Sequence, residues 1–295
     1  MGLSTTRSTE FRKLLDEPGI LLLPGMHDCL MAKIVEAAGF SAACIGDGAV
    51  SASVLGQPDF GLYTMTEVVN RAREVCSAVS IPVMIDVGTG YGNALNVLRT
   101  VREIEAAGAG AIFFEDQTWP KKCGHLAGRT LISQAEMTAK IRAAVDARQN
   151  PDLVIAARTD ARAVEGMPAA IQRMCAYGEA GADIVFIDAL ESMDDLRLAP
   201  QEIPYPMMAN MLEGGKTPYL TASELEELGY KVVIWPETLM YAGFKAMLDV
   251  AQELNATGTV SGETRENMTD FLSLNNEFLG LQELYELEQK YGAET

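Results

Sequence analysis

The most reactive stretch of the chain is Trp119–Arg129, which places two lysines, a thiol and one of only two histidines within five consecutive positions. Pro120, Gly124 and Gly128 interrupt regular structure, so the stretch is predicted to be a loop. A cysteine beside lysine and a protonated histidine can have its pKa lowered and become a usable thiolate or proton donor. We expect such a loop to close over a small anion and to present Cys123 as a general acid or base. The alternative is a solvated basic turn with an incidental cysteine.

The run that leads into this loop, Ala111–Asp116, is apolar and ends on two carboxylates, as a strand at the rim of an active site would. Similar apolar runs alternate with helical patterns along the chain. The eight predicted strands are 19–25, 42–45, 81–86, 111–115, 153–158, 183–188, 205–210 and 231–235. Eight strand–helix units in about 250 residues are typical of a parallel (β/α)₈ TIM barrel of the α/β class. A doubly wound open sheet is the alternative, but it would gather its polar residues at one switch point.

Nearly every predicted strand ends in a residue type that can bind or catalyse. These residues are Asp47, Asp86, Glu115, Arg158, Asp188 and Asn210. Each of them alone is best explained as a helix cap or a salt bridge at the rim. The carboxyl ends of the strands of such a barrel meet at one mouth, where active sites lie. Six such residues on successive strands therefore predict a single site.

Composition limits the function further. The chain has 295 residues, 48% hydrophobic and 22% charged, which indicates a globular protein with ample core. A net charge of −18 argues against nucleic acid and membrane surfaces as partners, so an anionic substrate needs a local positive cluster. The five scattered cysteines show neither a disulfide framework nor zinc spacing. A polar N-terminus and the lack of a long apolar run lead us to expect a cytoplasmic protein.

The chain is predicted to be one domain over 1–295, because no linker rich in serine or glycine divides it. The barrel is expected to cover about 11–256, and 257–295 is an acidic segment with helical patterning. The apolar positions of that segment at helical spacing are Phe271, Leu274, Phe278, Leu281 and Leu284.

The residue types indicate a chemistry. Asp86 and Glu115 are hard oxygen ligands on neighbouring strands, suited to Mg²⁺ with water at the remaining positions, and Asp59 could add an outer carboxylate. Arg158 offers a planar fork for a substrate carboxylate. Mg²⁺ on a 2-oxo acid would stabilise a forming enolate, and Cys123 would exchange a proton with the enolate carbon. The residues expected to hold the thiol and the anion are Lys121 and His125.

At these residues the chain resembles the isocitrate lyase and phosphoenolpyruvate mutase superfamily, over roughly 11–256. The shared motifs are Pro24-Gly25 with Asp28, Gln57–Gly61, Thr89–Gly92, Glu115–Gln117 and Lys121–His125. The last motif is the specific one, because Lys-Lys/Arg-Cys-Gly-His marks the carbon–carbon lyase branch, whereas the mutase branch lacks the cysteine.

The resemblance implies a barrel whose last helix is exchanged with a neighbouring subunit in a homotetramer, with 257–295 at the interface. It also implies Mg²⁺, with Mn²⁺ as a substitute, and retro-aldol cleavage of a 2-hydroxy di- or tricarboxylate to a 2-oxo acid and a carboxylate. The expected substrates resemble 2,3-dimethylmalate or 2-methylisocitrate. The residues expected to bind substrate are Gly46, Asp47, Gly48, Tyr91, Arg158, Asp188 and Asn210.

Three positions depart from the superfamily pattern. Gly88 stands where a second metal-site aspartate is usual, and Gly46–Gly48 replaces a serine–glycine pair that binds the oxo-acid carboxylate. Asp47 either joins the metal ligands in place of the missing carboxylate or repels a substrate carboxylate and changes the substrate. Asp188 replaces a glutamate that is frequent in the lyases.

These departures leave three functions open. The first is the lyase. The second is another enzyme of the superfamily, either an oxaloacetate-type hydrolase or a phosphonate enzyme. The third is a binding protein that has lost turnover. The intact Cys123 loop favours an enzyme over the binding protein.

Overall fold

Eight parallel strands form a closed ring in the computed structural model, which describes residues 6–292. The strands are β1 Leu21–Pro24, β2 Ala43–Ile45, β3 Val83–Asp86, β4 Ala111–Glu115, β5 Val154–Thr159, β6 Ile184–Ile187, β7 Met208–Asn210 and β8 Val232–Trp235. β2 to β6 pair in chain order, and β8 pairs with both β7 and β1. Gly25 bridges to Cys44 and Val185 bridges to Met207, which joins the two sheets at both ends. The predicted (β/α)₈ barrel is confirmed, and the open sheet is wrong.

Strand side chains alternate between two hydrophobic clusters, as the pleat requires. On β4, Phe113 belongs to the cluster inside the barrel, whereas Ile112 and Phe114 belong to the cluster between strands and helices. The inner cluster includes Leu23, Cys44, Met84, Phe113, Ala156, Phe186, Met208 and Ile234. The next inward position on each strand lies two residues further along, beyond the apolar core and at the mouth.

The opposite end of the barrel is closed by the first helix, α1 Arg7–Asp16. Phe11 and Leu15 on this helix are buried in the inner cluster. Ser8 Oγ donates a hydrogen bond to the carbonyl of Ala109, just before β4, at 3.2 Å. With this end sealed, the carboxyl ends of the strands form the accessible mouth.

The remaining helices of the barrel lie between successive strands, in line with the predicted alternation of apolar runs and helical patterns. They are α2 Cys29–Ala37, α3 Asp47–Val50, α4 Met65–Ala78, α5 Ala94–Ala106, α6 Gln134–Ala147, α7 Ala161–Val164, α8 Met167–Glu179, α9 Met193–Glu202 and α10 Ala222–Leu228. The short helices α3 and α7 were not predicted, because four residues carry no detectable periodicity. A π-helical turn at Ser51–Leu55 continues α3.

The chain separates into two compact units, one up to Tyr241 and the other from Ala242 onward. The last helices are α11 Thr238–Thr257, α12 Gly262–Glu266 and α13 Leu281–Tyr291, with a π-helical turn at Ser273–Phe278. No residue of α11, α12 or α13 is buried. Large exposed apolar residues are Phe244, Met247, Phe271, Leu272, Leu284 and Tyr291. None of the described helices is long and apolar enough to cross a bilayer.

Candidate active site

The inward positions at the ends of five strands carry the polar residues that the sequence singled out. Each of these residues lies two positions after a residue of the inner cluster. In chain order they are Asp86, Glu115, Arg158, Asp188 and Asn210, which follow Met84, Phe113, Ala156, Phe186 and Met208. All five are buried. All but Glu115 line one cavity, together with Asp47, Asp59, Cys123 and His125. The predicted convergence on one mouth is therefore what the fold produces.

Arg158 is surrounded by carboxylates. Its Nε and Nη2 each donate to an oxygen of Asp160 at 3.1 Å. Nη2 also lies 2.6 Å from Asp188 Oδ2, and Nε lies 3.2 Å from Glu115 Oε2. Burial opposes the charge on Arg158, but these carboxylates outweigh it and raise its pKa well above the usual value. Two of the three guanidinium nitrogens that were expected to bind a substrate carboxylate therefore bind Asp160. The third, Nη1, makes no hydrogen bond within residues 6–292.

Asp188 lies between cationic and polar neighbours. Its Oδ1 accepts a hydrogen bond from Asn210 Nδ2 at 3.1 Å and lies 3.7 Å from His125 Nε2. Although burial opposes ionisation, Arg158 and His125 hold the pKa of Asp188 below its usual value. The backbone N–H of Lys216 donates to His125 Nδ1 at 2.9 Å, so the neutral ring carries its proton on Nε2. Burial lowers the pKa of His125, which keeps it neutral at physiological pH.

Lys121 is an ion-pair partner of carboxylates rather than of the thiol. Its Nζ lies 2.8 Å from Asp59 Oδ2 and 3.0 Å from Asp47 Oδ2, and the side chain is 1% exposed. Burial alone would lower the pKa of Lys121, but Asp47, Glu115, Asp59 and Asp86 raise it well above the usual value. Lys121 was expected to hold the thiol, but in the structure it neutralises these carboxylates instead.

The loop 119–129 lies over the mouth. The Cys123 N–H donates to the carbonyl of Asp59 at 3.1 Å. Gln117 Nε2 donates to the carbonyl of Lys122 at 2.8 Å, and the Lys122 N–H donates to Gln117 Oε1 at 3.0 Å. Gly124 packs so closely on the site that a Cβ there would overlap the Asp188 carboxylate and Arg158 Nη2. This glycine therefore lets the loop backbone reach the floor of the cavity.

The protonation state of Cys123 corrects a sequence-based expectation. Lysine and histidine neighbours were expected to lower its pKa, but burial raises it to about 11. The reason is geometric, because Lys121 is paired with aspartates and His125 is neutral. At neutral pH the side chain is a thiol, which suits a proton donor and disfavours a thiolate base or nucleophile.

Asp47 extends toward the space that Gly88 leaves free. A Cβ at position 88 would lie 3.1 Å from Asp47 Oδ2 and 3.4 Å from the Tyr63 hydroxyl. The Asp47 N–H donates to Asp86 Oδ2 at 3.3 Å. Tyr63 packs edge-on against Tyr91, with ring centroids 6.5 Å apart. This side of the mouth therefore brings Asp47 beside Asp86.

Several carboxylate oxygens on the acidic side of the mouth have no partner among the described residues. Asp47 Oδ1, Glu115 Oε1 and Asp59 Oδ1 are buried with neither a hydrogen bond nor an ion pair among the described residues, whereas Asp47 Oδ2 pairs with Lys121 and Glu115 Oε2 with Arg158. Burial raises the pKa of Asp86, and its neighbour Asp47 raises it further. A divalent cation bound by oxygen ligands would satisfy these groups, so the donor set fits Mg²⁺. Residues 6–292 hold no three side chains already arranged as metal ligands, so water and substrate oxygens must complete the coordination.

Two acidic residues of the site, Asp160 and Glu237, were missed from the sequence. Asp160 follows β5 and orients Arg158, and the adjacent strand end is the signal that could have found it. Asp116, the second of the two carboxylates that follow the apolar run of β4, points away from the mouth and accepts from Thr159 Oγ1 at 2.6 Å and from the Tyr177 hydroxyl at 2.8 Å. Glu237 lines the cavity just after β8, and no pattern in the sequence around it indicates that position.

Fold and site together define a (β/α)₈-barrel enzyme, and comparison with known proteins gives its family. A family model described as phosphoenolpyruvate phosphomutase matches residues 11–255, so the chain belongs to this family. A 2,3-dimethylmalate lyase from Eubacterium barkeri is 45% identical over 284 residues, covering 96% of this chain and 98% of that protein. A 2-methylisocitrate lyase from Aeropyrum pernix is 43% identical over 279 residues, covering 95% and 88%.

A solved structure with bound ligands shares the fold. Phosphonopyruvate hydrolase in complex with oxalate and Mg²⁺ aligns with a TM-score of 0.87 at 29% identity, covering 97% of this chain and 99% of that chain. Together with the two lyases, it confirms the superfamily indicated by the sequence motifs.

Proposed function

We propose that the protein is a Mg²⁺-dependent carbon–carbon lyase that cleaves a 2-hydroxy carboxylate of the 2,3-dimethylmalate or 2-methylisocitrate type. The observation that carries this proposal is Cys123, a protonated thiol on the wall of a cavity that also contains Asp86 and Arg158. Two relatives above 40% identity are named as lyases for such substrates. A thiol placed to protonate carbon is what a retro-aldol cleavage needs and a phosphoryl transfer does not.

The proposed reaction breaks the bond between C2 and C3 of the substrate. The C2 hydroxyl loses its proton to a carboxylate of the site and becomes the carbonyl of a 2-oxo acid. The electron pair of the broken bond moves to C3, and Cys123 donates its thiol proton there to give the second carboxylate. Arg158 binds a substrate carboxylate through Nη1 while Asp160 and Asp188 hold its guanidinium in place.

Asp86 and Glu115 are proposed to hold the divalent cation together with water, and Asp47 is proposed to contribute through Oδ1, because its Oδ2, like that of Asp59, pairs with Lys121. When bound, the cation supplies positive charge to the oxygens of the 2-oxo acid fragment. The side-chain position of Asp47, beside Asp86 and next to Gly88, supports its role on the cation side rather than as a substrate selector. Phosphonopyruvate hydrolase, at 29% identity, binds Mg²⁺ with oxalate.

The C-terminal unit is proposed to pack against other copies of the chain in a homotetramer. This proposal is supported by the large apolar side chains that are exposed on α11, on α13 and on the segment between them. Sedimentation velocity of the full chain measures the assembly, and a monomer at micromolar concentration would contradict it.

A substrate panel tests the proposed activity. 2,3-Dimethylmalate, 2-methylisocitrate, oxaloacetate and phosphonopyruvate are each assayed for 2-oxo acid and oxalate release, with Mg²⁺ and with excess EDTA. We expect Mg²⁺-dependent 2-oxo acid release from a 2-hydroxy carboxylate. Release of oxalate from oxaloacetate would identify a hydrolase. Cleavage of phosphonopyruvate would identify a phosphonate enzyme. No turnover of any of the compounds would identify a binding protein.

A further inference from the structure

Glu237 is a carboxylate of the cavity wall that the proposed reaction does not use. It follows β8 and lines the cavity with Pro236 and Leu212. Its Oε1 lies directly over Gly48, where a Cβ would overlap it, and the Tyr241 hydroxyl donates a hydrogen bond to Oε2. The missing side chain at position 48 and the hydrogen bond from Tyr241 thus position this carboxylate at the cavity.

The charges of the cavity wall are unbalanced in a way that limits what can bind. Among the described residues that line it, Arg158 is the only permanent cation. His125 is neutral, and the Lys121 ammonium lies behind Asp47 and Asp59. The acidic residues of the wall are Asp47, Asp59, Asp86, Asp188 and Glu237. The protein and one divalent cation therefore provide partners for two substrate carboxylates, one on the cation and one on Arg158.

A third carboxylate would find no positive partner. 2,3-Dimethylmalate and 2-methylisocitrate carry the same methyl and hydroxyl groups on C2. They differ at C3, which bears a methyl group in the first and a carboxymethyl group in the second. Two substrate carboxylates already use the cation and Arg158, so the carboxymethyl group would lie in a cavity whose remaining charged wall is acidic. Like charges brought together out of water are strongly unfavourable.

We propose that Glu237 is a specificity-determining residue that admits 2-hydroxy dicarboxylates with an uncharged C3 substituent and rejects tricarboxylates. This inference rests on the proposed lyase function and names its substrate class. Rejection by a charge placed against the wrong substrate is a common source of specificity, because it needs no additional contact with the right one. Tyr241 acts through Glu237 by holding its carboxylate at the cavity.

The test compares kcat/KM for the two substrates in wild-type protein and in Glu237→Gln, which keeps the shape and removes the charge. We expect the wild type to prefer 2,3-dimethylmalate. The Gln variant should raise kcat/KM for 2-methylisocitrate roughly 10–100-fold and leave that for 2,3-dimethylmalate within about threefold. The matched control is Glu179→Gln, which removes one negative charge from an exposed position of α8 and should change neither value. An unchanged ratio in Glu237→Gln, or a wild type that prefers 2-methylisocitrate, overturns the inference.

Binding measurements separate failure of this inference from failure of the lyase function. Calorimetry with each compound in the presence of Mn²⁺ requires no turnover. If neither compound is cleaved, the lyase proposal fails. The inference about Glu237 then stands only if the wild type binds 2,3-dimethylmalate more tightly than 2-methylisocitrate and Glu237→Gln removes that difference in affinity. Equal binding of both compounds by wild type overturns it.

Discussion

Two sets of carboxylates meet at the mouth of the barrel, and they are fixed in different ways. Asp86, Glu115 and Asp188 stand at inward positions of strands, where the alternation of the sheet sets their direction. Asp47 and Glu237 come from segments that follow strands, and each lies against a glycine, Gly88 and Gly48 respectively. The strand set is held by the barrel itself. The second set depends on the lack of a side chain at Gly48 or Gly88, so a substitution at either glycine would displace it while leaving the barrel strands in place.

The largest effect is expected at Cys123, the loop residue proposed to act on the substrate. Cys123→Ser should keep the fold and substrate binding but lower turnover by about 10²–10⁴, the usual contribution of a positioned proton donor. Single-turnover and steady-state kinetics measure it. Cys175→Ser is the matched control, because that thiol is also free but lies on α8, away from the cavity. A Cys123→Ser variant with near wild-type kcat would refute the role.

The next effect concerns the loop's contact with the strand set. Gly124→Ala adds a methyl group that would overlap the Asp188 carboxylate and Arg158 Nη2, so the loop cannot reach its observed position. We expect kcat/KM to fall by about 10²-fold, as small misplacements of catalytic groups do, with an unchanged melting temperature. Ala127→Ser, at an exposed position of the same loop, should behave as wild type. Full activity in Gly124→Ala would show that the loop acts in a more open position.

A smaller effect distinguishes the two carboxylate sets directly. Asp47→Asn should weaken Mn²⁺ binding roughly 10–100-fold in calorimetry or electron paramagnetic resonance, because it removes a charge beside Asp86. Adding Gly88→Asp should partly restore binding, because it returns a carboxylate to this side of the mouth; the side chain at position 47 must shift slightly, since its Oδ2 lies 3.1 Å from the site of the new Cβ. Aspartate is also among the residues that best tolerate the φ of +54° at this position. If Asp47→Asn leaves the metal affinity alone and changes which diacid is cleaved, Asp47 selects substrate instead.

The reactivity of Cys123 should depend on pH in a defined direction. Burial raises its pKa to about 11, so the thiolate fraction is small at neutral pH and rises about tenfold for each pH unit below that value. Alkylation by iodoacetamide should therefore be slow near pH 7, accelerate as the pH rises, and be slowed by a bound 2-oxo acid. Rapid alkylation that levels off near pH 7 would mean a low pKa and a thiolate.

The smallest effect tests whether the loop moves. Lys121 and Arg129 are buried residues of the loop itself, so trypsin can cut beside them only when the loop opens. Oxalate with Mg²⁺ should slow cutting at both sites several-fold relative to the unliganded protein. Equal rates in both conditions would indicate a rigid loop.

The strand set could be predicted from sequence because its signals are local. Asp86 and Glu115 each end an apolar run, and two-residue alternation with a barrel rhythm is enough to bring them together. The loop motif at Cys123 was also visible, because glycine, proline and reactive residues coincide there.

The second set was harder to predict because its signals are not local. The position of Glu237 depends on the absence of a side chain at Gly48, almost two hundred residues away in the chain. The pKa of Cys123 was predicted in the wrong direction because sequence proximity to Lys121 does not reveal that Asp47 and Asp59 already pair with that lysine. Burial and pairing are tertiary properties, and they decide pKa values here.

The central claim is that Cys123 delivers a proton to carbon during cleavage of a 2-hydroxy dicarboxylate. It is tested most directly by incubating 2,3-dimethylmalate with the protein and Mg²⁺ in D₂O and following the products by NMR. We predict pyruvate and propionate in equal amounts, one deuterium on C2 of propionate, and a large loss of both products in Cys123→Ser. No pyruvate from this or any other 2-hydroxy dicarboxylate, or propionate formation undiminished in Cys123→Ser, would contradict the claim.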